Sequence, residues 1–455
     1  MEWINKRVLV IGAGLSGQAA VRKLQSLGAE VFLTDSKRIE QLVGVEELGL
    51  DLEHLFLGSV PELGEIKPDL IVLSPGVSPK ISLVQEAISQ NVTMWSEVEL
   101  AMHDCPALCV GVTGTNGKTT STTLIGELAK RTGHPTVVAG NIGVALSGQV
   151  KDLGEDSIVV AELSSFQLEF VDKLRVQVAI LLNITPDHLD RHGTLEEYFK
   201  VKARIFENQT ANDLAILNWD DPLVRDLGPK LRSRVMYFSP TFFLQDGISL
   251  WQDHIVYAEK EKSMIPIISR KDLHLRGAHN LENVMAAAGA ARAFGLAWTE
   301  IAEGLRQFKG VEHRQEIVGT YQEILFVNDS KGTNTDAATK ALLAFEEPLV
   351  LIAGGKNKGL DFHEFMKVVR LKVKSLVLLG SAADEMEQAA REEGVQTIIR
   401  ASTFEDGVEK AIAEAIPGDV VLLSPACTSW DMFKSYEERG ELFKELVRRH
   451  YRKPI

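Results

Sequence analysis

A lysine and two threonines, Lys118, Thr119 and Thr120, end the run GVTGTNGKTT that begins at Gly111. The apolar residues Ala107 to Val110 precede the run, and a helical pattern from Ser121 to Lys130 follows it. Glycines in a strand-to-helix turn let backbone N–H groups converge on phosphate oxygens at the positive end of the helix. This context assigns Gly114, Thr115, Asn116, Gly117, Lys118, Thr119 and Thr120 to nucleotide phosphates. Lys118 is expected on the β- and γ-phosphates and the Thr119 hydroxyl on Mg²⁺. The spacing departs from the usual phosphate loop, because Val112 stands where the first glycine is expected and Gly111 comes one residue early.

Further candidates lie downstream. Glu162 ends a buried-strand run from Asp156, and an acid at a strand terminus beside a phosphate loop holds Mg²⁺ directly or through water. Asn141 places an amide at the neighbouring strand end. The strand Val176 to Leu182 delivers Asn183 to Asp190, which contains His188, a metal or water contact on the same sheet edge. Lys202 sits within the apolar stripe Leu195, Tyr198, Phe199, Ile205 and Phe206 of a helix expected from Leu195 to Gln209. Such a lysine either snorkels, which the spacing alone favours, or is buried. Burial would lower its pKa and leave a neutral amine able to capture CO₂ as an anionic carbamate for a second Mg²⁺. Asn280 and Asn283 fall near the start of an Ala-rich helix, Leu281 to Phe294, where they cap it or read an adenine edge.

Three α/β stretches must position these residues. In 1–105, the strand Arg7 to Ile11, the turn GAGLSG from Gly12 to Gly17, a helix from Ala19 to Leu27 and a strand ending at Asp35 form a dinucleotide-type fingerprint. It reports a pyrophosphate on a helix N-terminus, which NAD and UDP-sugars share. A further strand, Leu70 to Leu73, ends in a tight turn from Ser74 through Gly76 to Val77, at the edge where such sheets bind ligands. Residues 106–309 hold the phosphate loop and then short strands between Asp213 and Leu275. In 310–455, strands are expected at Glu323 to Val327, Leu349 to Ile352, Leu376 to Leu379 and Asp419 to Leu423, with polar clusters after their ends. The expected fold is α/β in three domains: a Rossmann-like N-terminal domain, a central P-loop ATPase-like domain and a Rossmann-like C-terminal domain.

Composition narrows the function classes. With 45% hydrophobic and 25% charged residues the 455-residue chain reads as soluble and globular, and its net charge of −14 argues against a nucleic-acid partner. Three cysteines form neither a disulfide framework nor a metal pattern, as expected of a cytoplasmic protein. Val8 to Ile11 is too short for a signal sequence or membrane span.

Together the motifs resemble the Mur ligases. Gly114 to Thr119 is shared with the wider superfamily, including folylpolyglutamate synthase. More diagnostic are LSSFQLE at Leu163 to Glu169, Asn183 to Arg191, His313 with Arg314, Asn328 to Lys331, Ser424 to Lys434, and Glu438 to Gly440. The Asn328 and Ser424 stretches are similar to the D-glutamate-adding branch. The resemblance implies an ATP-dependent ligase adding D-glutamate to UDP-N-acetylmuramoyl-L-alanine through an acyl phosphate, in peptidoglycan precursor synthesis, acting as a cytoplasmic monomer. It implies a UDP-substrate site at Gly14, Leu15, Ser16, Asp35, Ser36, Ser74, Gly76, Asn141, Ser164 and His188, which decides against NAD. It implies ATP and two Mg²⁺ at Lys118, Thr119, Glu162 and His188, with Lys202 carbamylated despite the spacing, and Lys118, Lys202 and His188 as the catalytic set. Asn280 and Asn283 would face the adenine, Arg314 and Asp329 the ribose and phosphates, and Lys331, Thr333, Lys358, Ser429 and Tyr436 D-glutamate, with the third domain closing to exclude water. Two departures are Tyr436, a position often Phe, and Gly332, often Ala. Other readings are a different Mur-type or folylpolyglutamate-type ligase, an NAD-dependent oxidoreductase, and a nucleotide-dependent switch without ligase activity.

Overall fold

Apolar runs without alternation, such as Val8 to Ile11 and Leu70 to Leu73, are buried on both faces, as parallel strands covered by helices require. In the computed structural model, which describes residues 3–452, they lie side by side at the middle of a five-stranded parallel sheet. Its order is Leu55–Leu57, Glu30–Asp35, Arg7–Ile11, Leu70–Leu73, Thr93–Ser96. The chain order reverses between Arg7–Ile11 and Leu70–Leu73, which opens a crevice at their carboxyl ends, where Gly12 and Ser74 turn.

The second sheet has nine strands. Leu108–Thr113 pairs in parallel with Ile158–Glu162 on one side and Val178–Leu181 on the other, and Thr136–Gly140 forms the near edge. On the far side follow Leu214–Asn218 and Arg234–Ser239, then the meander Gly247–Trp251, His254–Ala258 and Ile265–Ser269. Val159, Ala161, Ala179 and Leu181 pack with Leu163, Tyr198 and Ile205 into one core cluster. That core fixes the helix Leu195–Ala203 and the short 3₁₀ turn Arg204–Phe206 against the sheet carrying the phosphate loop.

The third sheet has six strands in the order Glu316–Tyr321, Ile324–Asn328, Val420–Leu423, Leu349–Gly354, Val373–Leu379, Ile398–Arg400. All pairs are parallel except the first, which is an antiparallel hairpin with a register shift at Ile317 to Gly319. Contacts group the chain into two compact units. One runs to Asp272 and takes in Glu282–Gln307, and the other comprises Leu273–Leu281 and the chain from Phe308 onward. No helix among the described residues is long and apolar enough to cross a membrane.

Candidate active site

The phosphate loop leaves the carboxyl end of Leu108–Thr113 and enters the helix Lys118–Lys130. Gly117 is its N-cap with φ 85°, and a Cβ there would stand 2.2 Å from Asn283 Oδ1, so glycine is required twice over. The loop is clamped from the next strand end: Asn183 O accepts the Thr115 N–H at 2.9 Å, and Asn183 Oδ1 accepts the Asn116 N–H at 2.8 Å. Lys118 Nζ donates to Gly114 O at 2.9 Å and Thr115 O at 2.8 Å. Thr119 and Thr120 are buried in the first helical turn.

Lys202 corrects the snorkelling expectation. It is 1% exposed, and its Nζ donates to Gly114 O at 2.9 Å and lies 3.4 Å from Thr113 Oγ1 and 4.7 Å from the Tyr198 ring centroid. The helix stripe reaches over a strand that ends in the phosphate loop, so the side chain has no path to solvent. Burial first, and then the Lys118 charge, hold its pKa well below the lysine range, with Asp187 and Glu162 opposing.

Glu162 is 2% exposed; its Oε1 accepts from Asn141 Nδ2 at 2.9 Å, while Oε2 is buried with no hydrogen-bond partner among the described residues. An orphaned buried carboxylate oxygen beside a phosphate loop is what a hard cation satisfies. His188 is exposed, with φ 52° and its ring 4.8 Å from that of Phe166. Nearby His192, not anticipated from sequence, shares a 3.0 Å hydrogen bond with Ser165 Oγ. Ser164 caps the helix Ser165–Leu168 in a reciprocal box with Gln167.

In the N-terminal sheet Gly14 is the N-cap of Leu15–Ser26 with no side-chain cap, which leaves that helix end open; Leu15 is exposed and Ser16 half-buried. Gly17 has no alternative, since a Cβ would meet Gly12 O at 1.8 Å. Asp35 accepts the Ala13 N–H at 2.7 Å and the Lys37 N–H at 2.9 Å, so it shapes the glycine turn itself. Ser74 Oγ donates to Gly12 O at 2.9 Å, while Ser36 and Gly76 are exposed. Arg191 donates to Pro75 O at 3.1 Å and lies over Phe166, which joins the Ser74 turn to the His188 segment.

Neither asparagine is the capping residue of the Ala-rich helix, which runs Ala278–Ala293 and begins three residues before the expected point. Asn280 therefore lies inside its first turn, donating to Arg276 O at 2.7 Å, and Asn283 is in its body, where Oδ1 accepts from Ser121 Oγ at 3.2 Å.

The C-terminal unit holds its own cluster. Asp329 follows Ile324–Asn328; it accepts from Ser424 Oγ at 2.6 Å and the Gln315 N–H at 3.2 Å. Burial pushes its carboxyl up to about 7 against those bonds and the Arg314 charge. Lys331 Nζ lies 5.1 Å from the Tyr436 ring centroid and Lys358 Nζ 4.5 Å from that of Trp430, two paired cation–π contacts. Thr333 is half-buried and Ser429 buried, the latter accepting the Phe433 N–H. Arg439, buried and unanticipated as a scaffold, donates to Ser330 O at 2.8 Å and to Cys427 O, tying the Asp329–Lys331 turn to the Ser424–Ser429 turn.

His363 fastens the Lys358 loop to its neighbour: its ring bonds Asp361 at 2.6 Å and Glu392 at 2.8 Å, and these acids raise it from 6.5 to about 9. The folded pKa exceeds the unfolded one, so the stabilisation is complete below the ordinary histidine range and is lost as pH rises through about 9. His363→Gln is expected to flatten the fall of the urea midpoint across that window; an unaltered slope in the variant refutes the clamp.

A phosphate loop, a buried acid and a buried lysine share one sheet edge, in a chain that also carries two further sheets of nucleotide-binding type, a scaffold of the three-domain ligase kind. Residues 6–96 match the Mur ligase MurD-like N-terminal domain, 112–291 the Mur ligase middle domain, and 313–427 the Mur ligase glutamate ligase domain. The UDP-N-acetylmuramoylalanine–D-glutamate ligase of Desulfitobacterium hafniense strain Y51 is 67% identical over 455 residues, all of both chains. The ligase of the same name from Pelotomaculum thermopropionicum is 49% identical over 98% of each. Among solved structures, MurF ligase from Thermotoga maritima in complex with ADP aligns with TM-score 0.61 at 17% identity, over 98% of this chain and 96% of its own. The pseudomurein peptide ligase type C of Methanothermus fervidus gives 0.60 at 19%, over 98% and 100%. The chain belongs to the Mur ligase family, within the group of the UDP-N-acetylmuramoylalanine–D-glutamate ligases.

Proposed function

We infer that the protein joins D-glutamate to UDP-N-acetylmuramoyl-L-alanine at the expense of ATP. The γ-phosphoryl group passes to the alanyl carboxylate, the D-glutamate amine attacks the acyl carbon, and the C–O bond to phosphate breaks, giving the amide, ADP and phosphate. The observation that carries the reaction class is the meeting of Lys118 and Lys202 on one carbonyl oxygen, Gly114 O. Lys118 in a glycine turn suits a polyanion, and Lys202 beside it, with its depressed pKa, suits carbamate formation. The full-length identity with the D-glutamate ligases supports the acceptor.

In this reading Gly114 to Thr120 bind the ATP phosphates, Asn280 and Asn283 serve the adenine side, and Arg314 and Asp329 the ribose and phosphates. Lys118 offsets charge that develops on the transferring group, and the rest of the work is alignment. Two Mg²⁺ ions would neutralise the phosphate oxygens; Thr119, Glu162, His188 and carbamylated Lys202 are the residues that fit them, Glu162 through its orphaned Oε2. Gly14, Leu15, Ser16, Asp35, Ser36, Ser74, Gly76, Asn141, Ser164 and His188 hold the UDP-linked substrate. Lys331, Thr333, Lys358, Ser429 and Tyr436 take D-glutamate, with Trp430 and Tyr436 steadying the two ammonium groups against its carboxylates. The three free cysteines suit a reducing cytoplasm, and the enzyme works there as a monomer.

The test is ADP release with UDP-N-acetylmuramoyl-L-alanine and a panel of amino acids. D-glutamate is expected to stand alone in driving turnover. Release that is indifferent to the acceptor would leave a nucleotide switch, and preference for another amino acid would move the chain to a different ligase specificity.

A further inference from the structure

The first unit contains a cavity of about 510 Å³ that the reaction centre does not use. Arg22, Lys23 and Leu27, from the end of the helix Leu15–Ser26 and just past it, form one wall; Cys105 forms another, and Val150 and Lys151 a third. The other end of that helix carries Gly14 to Ser16, with Ser16 about 9 Å along the axis from Arg22 at 1.5 Å per residue. Cys105 precedes the strand Leu108–Thr113, whose opposite end releases the phosphate loop. The cavity therefore opens at the amino-terminal edge of both sheets, and ligands of the reaction sit at the carboxyl edge.

Its chemistry is mixed in a definite way. Ala19, Leu27, Pro106, Val150 and Leu153 give it an apolar body, and Arg22, Lys23 and Lys151 give it three cations. The one lining acid, Asp104, already accepts from Trp3 Nε1 at 3.3 Å. Among the described residues Arg22 makes one long ion pair, 3.9 Å from Glu47. Lys23 donates to Ala101 O at 2.7 Å, and burial holds it below the usual lysine range. Behind Ser147, another lining residue, the buried Glu97 accepts the Ser147 N–H through Oε1, and its Oε2 lacks a partner among the described residues.

We propose that this cavity is a second ligand site, for a small molecule with an apolar body and a carboxylate head, and that Cys105 in its wall is the thiol which captures an electrophilic ligand of that class. Cys105 is half-buried, whereas Cys109 and Cys427 are buried and pushed up to about 12, so those two remain protonated in the folded protein. Addition to a maleimide forms one C–S bond, consumes the C=C π bond and places the thiol proton on the adjacent carbon; nothing leaves.

The experiment compares alkylation of Cys105 in the full-length protein by 4-maleimidobutyric acid, neutral N-ethylmaleimide and cationic N-(2-aminoethyl)maleimide, read by peptide mass mapping. The overall charge of −14 favours the cationic reagent at any ordinary surface thiol. A built site reverses the order: the acid is expected to react about tenfold faster than the cation at low salt, with a rate that saturates in reagent. Arg22→Ala with Lys151→Ala, both at exposed positions, should remove the preference and leave N-ethylmaleimide labelling in place. Cys105→Ser should abolish labelling and retain ligase activity. Rates that stay linear with the cation equal or faster, or Cys105 left unlabelled by all three reagents, would overturn the proposal. None of these outcomes depends on which amino acid the ligase accepts.

Discussion

Lys202→Ala is expected to reduce turnover by about 10³-fold or more, the scale of losing a preorganised charge at a phosphoryl-transfer centre, while the fold and ATP binding persist. The physical reason begins with burial. At 1% exposure and with Lys118 bonded to the same carbonyl oxygen, an ammonium on Lys202 would face a like charge about 5–6 Å away, a repulsion of about 3 kcal/mol at an effective dielectric of 20. The neutral amine avoids that cost and is the form that captures CO₂. The carbamate then reverses the sign of the charge and turns repulsion from Lys118 into attraction. Acetate or bicarbonate, entering the space left by the side chain, is expected to restore part of the activity to Lys202→Ala. Lys202→Arg places a permanent cation in that space and should stay inactive with either anion. Carbon-13 NMR with labelled bicarbonate gives a readout apart from activity: a carbamate resonance in the native protein that is missing from both variants. Full turnover by Lys202→Ala would remove the carbamate from the scheme.

Much of this architecture was legible because parallel strands buried on both faces leave continuous apolar runs. Arg7–Ile11 and Leu70–Leu73 appear at the residues expected, and the helix after the phosphate loop begins at Lys118 because Gly117 caps it. The edge strand Glu316–Tyr321 was not anticipated. It is half-exposed, contains Gly319 and carries a register shift, so neither a run nor a clean alternation marks it. Depth was harder to read than direction. The stripe around Lys202 correctly named the inward face of its helix, but periodicity says nothing about what covers that face. Here it is the end of Leu108–Thr113, brought over by crossover connections far away in sequence. The capping alternative for the two asparagines fails for a local reason. Gly277, at φ 90°, turns the chain just ahead of Ala278, so the helix starts earlier than its apolar pattern and carries both amides past the capping position.

Lys118→Ala should lower kcat by about 10²–10³-fold, or about 3–4 kcal/mol, with a smaller change in the KM for ATP. Lys118 holds two loop carbonyls in the free protein, Gly114 O and Thr115 O, and of these Gly114 O keeps Lys202 as a donor when Lys118 is removed. Loss of the Thr115 contact is expected to cost about 1 kcal/mol, and denaturant midpoints should separate the stability loss from the catalytic one. Removing this cation also acts on its neighbour. The Lys118 charge is second only to burial in depressing Lys202, so its loss raises the Lys202 pKa. A raised pKa leaves less neutral amine at a given pH, and the carbamate resonance should move toward higher pH in Lys118→Ala. Excess bicarbonate at alkaline pH can refill the carbamate but cannot replace the charge on the transferring phosphoryl group. The rate defect should accordingly shrink as the carbamate signal is restored and then level off well short of native turnover. Recovery to the native rate would mean that Lys118 acts only through Lys202, and an unchanged kcat at every pH would mean that it touches the reacting phosphate in no way that matters.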